Sequence, residues 1–492
     1  MKKRYGVIAL ILGVLLGTAG TFVGMIFFSN NGDSADGESN IQERLLDQIM
    51  SQQTNIEDNL GDMTKVLEAY TLIQDMYVED VEDKQLIEGA IQGMLLSLED
   101  PYSVYLDQEA MEEFNQQIES SFEGIGAEVS MVNGNVTIVS PIKDSPAEKV
   151  GLSPNDQVLT VDGESLEGLS LQEAVNKIRG EKGSEVTLEI RRPGVDEPLQ
   201  VNIVRDSIPV ETVYVDTVEQ NGKKIGIIEL TSFSETTAEE MKEELEKMEN
   251  DGIEGLVIDV RGNPGGLLPA AEGILEQFIP KDKPILQMED ENGKKTRYFS
   301  NLSDPKDYPV AVLINEGSAS ASEILAISLK EALDYEIVGE TTFGKGTVQQ
   351  TLPMGDGSTI KLTRYKWLSS DGTFIDGKGV EPTVEQKMPE YYYTHPIQIE
   401  EDQVFAFNET NPQIKNIQTM LDGLGYDVGR TDGYYNKETE EAVKEFQEEH
   451  DLSVSGEIDK TTAEVIETQI RERIREGEDD LQKEKAIEIL TK

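Results

Sequence analysis

Residues 310–350, VAVLINEGSASASEILAISLKEALDYEIVGETTFGKGTVQQ, constrain the fold more than any other stretch of the chain. Val310–Ile314 is a short unbroken apolar run, the pattern of a buried strand. Residues 315–318 interrupt it, and apolar positions then recur at helical spacing over 319–333. A short strand is expected at 336–339, then a turn in which Gly344 and Gly346 flank Lys345, then a strand from Thr347. Upstream, apolar runs at 225–230 and 256–260 bracket a helix-like segment at 237–248. Strands alternating with helices in this way indicate an α/β core.

Ser318, Ser320 and Ser322 crowd the expected helix start, where hydroxyls cap free backbone N–H groups. Capping alone accounts for most such clusters. Two absences point further. The chain has no cysteine, which excludes a thiol nucleophile. Its two histidines, His395 beside a tyrosine run and His450 in a charged helix, stand away from this turn. An acyl-transfer site here needs another base, and a lysine with a lowered pKa serves. Lys345, between two glycines in a mostly apolar neighbourhood, has the setting that desolvates an ammonium. A serine at a helix N-terminus also gains from the dipole and the exposed N–H groups.

NEGSASASEI followed by GETTFGKGTVQQ resembles the Ser/Lys motif pair of the carboxyl-terminal processing peptidases, or tail-specific proteases. The resemblance implies a protease core of the ClpP/crotonase-like α/β type. It also implies that Ser320 is the nucleophile, Lys345 the general base and Gln349 the residue that orients the base. Ser318 and Ser322 are then caps or packing residues. DVRGNPGG, residues 259–266, ends the second strand of the core, and its paired glycines let backbone approach a ligand. The segment is a tight strand-to-helix turn on any reading. The resemblance assigns one oxyanion amide to Gly266 and a second to Ala321. No Lys-Ser/Thr pair follows the glycines, which disfavours a phosphate cradle. No metal or cofactor is implied.

At 492 residues, three or four units are expected. The 96 acidic against 43 basic side chains give a net charge of −53, a field that argues against nucleic acid or an anionic membrane surface as partner. Lys2, Lys3 and Arg4 precede an uncharged run from about 5 to 28, long enough to span a bilayer. The basic flank should stay in the cytoplasm and place everything after it outside. A cleaved signal peptide is the rival reading, but Met25, Ile26, Phe27 and Phe28 stand where a small-x-small site would end it. The expectation is a single-pass anchor over 1–28 in the cell membrane, with the catalytic part on the cell-wall side.

Residues 29–120 read as a polar linker and a helical scaffold, with Ile41, Leu45, Ile49, Val66, Leu67, Tyr70 and Ile73 at helical spacing. These helices are too few to bury their own faces, so another domain or a second subunit, as in a homodimer, should cover them. The DPYSVYL stretch at 100–106 also resembles a segment of the family. Residues 121–205 resemble a PDZ domain: a glycine turn and strand in SFEGIGAEVS, then PAEKVGLSPNDQVLTVDG, then the helix of SLQEAVNKIRG. Glu123, Gly124, Ile125 and Gly126 are expected to form the loop whose N–H groups hold a terminal carboxylate while an extended peptide pairs with the strand. Arg179 is a structural or interdomain cation, or a relay of peptide occupancy to the active site. The protease core takes 206–387 and a linker 388–402. Residues 403–470 resemble the small three-helix peptidoglycan-binding domain, with Asp432, Gly433 and Asn436 shaping its glycan-facing loop or serving only its fold. Residues 471–492 are expected to be a charged helix without chemistry of its own.

The fold class expected is multidomain α/β, and the resemblances together imply a membrane-anchored, extracytoplasmic serine endopeptidase that captures unstructured, apolar protein C-termini and is tethered to peptidoglycan. The alternatives are an inactive PDZ and cell-wall-binding scaffold, opposed by the intact Ser, Lys and Gln set, and an acyl-thioester enzyme on a related core.

Overall fold

The computed structural model describes residues 63–118, 121–132, 134–195, 197–400 and 403–492. The expected membrane anchor lies outside the described residues. Among the described residues no helix is long and apolar enough to cross a membrane. The chain divides into two compact units, the first ending at Ser97. Its described part is a helix at 63–76 and the helix Asp83–Leu96, with Leu67, Met76, Ile87 and Met94 exposed.

In the second unit the central sheet has six strands: Val213–Gln220, Lys223–Leu230, Gly255–Asp259, Val310–Ile314, Glu336–Gly339 and Val384–Glu385, in that spatial order. The first pair is antiparallel and the rest are parallel. The apolar runs are continuous because both faces are covered. Val310, Val312 and Ile314 pack on one side with the helices Thr237–Asn250, Leu268–Leu275 and Ala321–Leu333. Ala311 and Leu313 face the other way, onto Ala486, Ile487 and Leu490. A second sheet joins Val104–Leu106, Thr359–Leu368, Pro284–Glu289 and Lys295–Phe299, with Thr347–Pro353 also paired to Thr359–Leu368. The DPYSVYL segment therefore supplies an edge strand to this second sheet.

The second face of the central sheet adds a packing role to residues 471–492, expected as a charged helix without chemistry of its own. The helix Lys460–Arg475 ends, the chain turns, and Leu481–Leu490 returns to cover the central sheet. An apolar stripe of Ala486, Ile487 and Leu490 at helical spacing causes this, since it finds an otherwise open apolar face. Residues 388–402 are likewise more than a linker. Tyr391 is buried in the core of the three-helix module, and its hydroxyl donates to the Asp479 carboxylate at 3.1 Å. That module consists of Pro412–Gly423, Lys437–Glu449 and Lys460–Arg475, capped by Asn411, Asn436 and Asp459. Asn436 is thus a helix cap. Gly433 N–H donates to buried Gln418 at 3.0 Å, while Asp432 pairs with Arg430 at the surface.

The segment expected to be a PDZ domain folds as a sheet ordered Ala127–Val132, Asn135–Pro141, Gln157–Val161, Glu185–Arg191, Leu199–Val204, with the helix Leu171–Ile178. Ala127–Val132 lies at its edge, open to strand addition. The domain joins the α/β core through a two-stranded stalk, Ser121–Gly124 antiparallel to Asp206–Pro209. An inserted domain must enter and leave at neighbouring points, and pairing satisfies the backbone there.

Candidate active site

The strand Val310–Ile314 is followed by six residues, 315–320, that lead to the helix Ala321–Leu333. The three serines of this turn have different surroundings. Ser318 is fully buried, and its hydroxyl donates to the Val260 carbonyl at 2.7 Å. Ser322 is fully buried and donates to the Asn263 carbonyl at 2.9 Å. Both therefore tie the turn to the DVRGNPGG segment instead of capping the helix. Ser320 is half-buried, its hydroxyl proton is committed to no carbonyl, and it lines a cleft of about 720 Å³. Its backbone is held at φ 54°, ψ −110°, a region a non-glycine residue enters only under constraint.

Asn263 is a residue that pattern reading did not single out. Fully buried, it donates from Nδ2 to the Leu230 carbonyl at 2.7 Å and accepts the Gly265 N–H at 2.8 Å. Its carbonyl also accepts the Ala319 N–H at 3.0 Å. It thereby presses Gly265 against the serine turn: a Cβ on Gly265 would lie 2.9 Å from Ser320 Cβ, at a φ of +98° that favours glycine. Gly266 and Ala321 both line the cleft beside Ser320, and their N–H groups donate to no described residue.

Lys345 lines the same cleft. Its carbonyl accepts the indole N–H of Trp367 at 2.8 Å, a fully buried side chain that anchors the turn from below. The flanking Gly346 N–H donates to Asp376 at 2.9 Å. Lys345 Nζ sits 4.7 Å from the centre of the Tyr102 ring, which the DPYSVYL segment supplies. Burial pushes the Lys345 ammonium below the ordinary lysine value and the nearby Lys361 charge adds to this, while Asp100 and Glu323 oppose it. Lys361, also in the cleft, is itself lowered by burial. No hydrogen bond joins Ser320 Oγ, Lys345 Nζ and Gln349 here. Gln349 lines the cleft but spends both amide protons on the Thr347 and Thr363 hydroxyls, each at 3.1 Å, leaving Oε1 as acceptor.

The expected carboxylate loop of the PDZ domain is partly redrawn. Glu123 and Gly124 belong to the stalk strand, paired with Ser207 and Asp206, so their backbone serves the ladder. Ile125 and Gly126 follow it, their carbonyls accepting from Ala147 and Ile142 and their N–H groups donating to no described residue. Arg179 ends the helix Leu171–Ile178 and stacks 5.1 Å from the ring of Phe122, a stalk residue. Among the described residues no cluster of His, Asp or Glu could hold a metal ion.

The model of peptidase family S41 matches residues 224–386, and a PDZ domain model matches 137–192. A peptidoglycan binding domain model matches 410–466, and that of the activating protease CtpB N-terminal domain matches 14–110. The chain is 50% identical to carboxy-terminal processing protease CtpB of Bacillus subtilis (strain 168) over 87% of its own length and 89% of the relative's. It is 42% identical to carboxy-terminal processing protease CtpA of the same organism, over 87% and 90%. Among solved structures it is similar to a photosystem II D1 C-terminal processing protease, at 26% identity and a TM-score of 0.40, covering 65% of this chain and 92% of that one.

Proposed function

The chain belongs to peptidase family S41, and from that premise we propose that Ser320 and Lys345 are the nucleophile and general base of its peptidase activity. One observation carries the assignment. Of the three serines in SASAS, only Ser320 opens to a cleft that also holds a desolvated lysine and two uncommitted backbone N–H groups.

In this reading neutral Lys345 takes the proton of Ser320 Oγ as Oγ bonds to the scissile carbonyl carbon. The oxyanion that forms is held by the Gly266 and Ala321 N–H groups. The resulting Lys345 ammonium gives its proton to the leaving amine, and the acyl-enzyme remains. Water then attacks the ester carbon, passes a proton to Lys345, and Ser320 departs with that proton as the new carboxyl group leaves. Gln349 Oε1, aimed by the two threonine hydroxyls, accepts from the Lys345 ammonium and holds it in line. Ser320→Ala and Lys345→Ala should each abolish cleavage of an unfolded protein with the fold intact. Full turnover by folded Lys345→Ala would remove lysine from the mechanism.

The substrates are proteins with unstructured, apolar C-termini. Such a terminus adds as a strand to Ala127–Val132 and places its carboxylate on the Ile125 and Gly126 N–H groups. The enzyme works outside the cytoplasm, held by its N-terminal anchor and by peptidoglycan. Full-length Ser320→Ala protein, freed from membrane, should sediment with purified peptidoglycan across a range of salt; failure to do so leaves the module a structural role only. The apolar helices before Ser97 pair with a second copy in a homodimer.

A further inference from the structure

The carboxylate of Glu323 joins the two halves of the catalytic pair through their backbones. It is fully buried in the first turn of the helix Ala321–Leu333. Oε2 accepts the N–H of Ser320 at 2.8 Å and the N–H of Lys345 at 2.8 Å. Oε1 accepts the N–H of Gly344 and the hydroxyl of Thr342, each at 2.6 Å. Four donors saturate the group, and among the described residues no lysine or arginine is ion-paired with it. Thr342 is in turn fixed, because its hydroxyl accepts the Val380 N–H at 2.7 Å.

We propose that Glu323 is a positioning residue, which sets the distance and orientation between Ser320 and Lys345 and holds the nucleophile in its constrained backbone conformation. The inference rests on the assignment of those two residues. Its physical basis is that hydrogen bonds to an anionic acceptor are short and directional, so one carboxylate shared by both turns transmits position between them. The bond from Ser320 N–H has a second consequence. It turns that donor inward, so that the next amide along, Ala321 N–H, is the one left facing the cleft.

Charge and position can be tested separately. Glu323→Gln keeps the shape but replaces an acceptor oxygen with an NH2 group facing N–H donors. The groups that face Lys345 are Tyr102, Asp100, Lys361 and Glu323. Removing the Glu323 charge takes away one of the two influences that favour the ammonium. The acid limb of the pH–rate profile should therefore move to lower pH, while kcat at the plateau falls about 10²-fold, as for a misplaced reacting group. KM for a short peptide should change little. Glu323→Asp keeps the charge but draws it back by one methylene, so kcat should fall with the acid limb in place. Wild-type kcat in folded Glu323→Gln overturns the proposal. So does a loss of rate with an unmoved acid limb in Glu323→Gln, the mark of a merely structural role. If Glu323→Gln does not fold, Thr342→Val removes one donor and keeps the carboxylate; about a tenfold fall in kcat is expected, and an unchanged kcat overturns the proposal. Activity retained in Ser320→Ala would instead overturn the choice of nucleophile, so the two failures are read apart.

Discussion

Ser318, Ser320 and Ser322 are chemically identical, and only their neighbours distinguish them. Two donate hydrogen bonds to the Val260 and Asn263 carbonyls, and one does not. The motif pointed to Ser320, and the geometry supplies a reason for it. The surroundings of Lys345 were less legible. Its glycine flanks and apolar neighbourhood suggested desolvation, but Lys361 lies on another strand and nothing in the spacing of the two lysines reveals that they share a cleft. Because the Lys361 charge adds to the lowering of Lys345, removing it should raise the Lys345 pKa. Only the neutral amine acts as base, so Lys361→Gln should shift the acid limb of the pH–rate profile to higher pH. The direction is opposite to that expected for Glu323→Gln. An unmoved limb in Lys361→Gln would show that burial alone sets the base. Glu323 itself was visible as the fourth residue of a Ser-x-x-Glu capping pattern, a signal that marks a helix start wherever it occurs. Its tie to Lys345 needs the fold.

At the level of elements, the last helix is the main departure from expectation. Leu481–Leu490 falls in the expected charged helix, and its packing role was hard to read because its apolar stripe is only Ala486, Ile487 and Leu490 amid lysine and glutamate. Its N-cap Asp480 clasps Arg261 through two bonds of 2.8 Å, and Asp259 holds the same guanidinium. Arg261 opens the segment that leads to Gly265 and Gly266, so Asp480 braces the loop proposed to hold the oxyanion. Asp480→Asn should destabilise the protein by on the order of 3 kcal/mol in denaturant unfolding at neutral pH, since it breaks one side of a mostly buried pair. Burial raises the Asp480 carboxyl, but its bonds to Arg261 outweigh that and hold it below the ordinary range. A depressed folded pKa contributes stability above the unfolded value that is lost as pH falls through the folded one. The gap between wild type and Asp480→Asn should therefore close in acid. A gap constant down to strongly acid pH would mean the charge is not what the mutation removes.

For the whole molecule, the two accessory modules are both bracketed by the protease. The peptidoglycan binding module leaves after Val384–Glu385 and returns as the helix on the far face of the same sheet. A chain cut at residue 402 thus loses part of the protease core as well as the module. The PDZ domain hangs on the stalk, with Arg179 stacked on the stalk residue Phe122. Gly124 and Asp206 are direct partners, so replacing residues 125–205 with Asn-Gly should close a hairpin and leave a folded protease. On a short peptide with no C-terminal anchor, a gate predicts a changed kcat: a gain if the domain inhibits, a loss if it activates. Unchanged kcat in both that deletion and Arg179→Ala leaves simple capture as the role of the domain.

The sequence by itself determined the order of modules and the α/β core, and it singled out the serine and lysine on which the proposed chemistry rests. Each of these is local: a strand is a short apolar run, a helix an apolar period, a motif a string of adjacent residues. Tertiary structure decided which serine hydroxyl is uncommitted, which amides face the cleft, and that Asn263, Glu323, Trp367 and Asp480 hold it in shape. Those roles come from contacts between segments far apart in the chain. Asp480 and Arg261, Trp367 and Lys345, and Glu323 and the lysine turn meet only after the sheets and helices have packed.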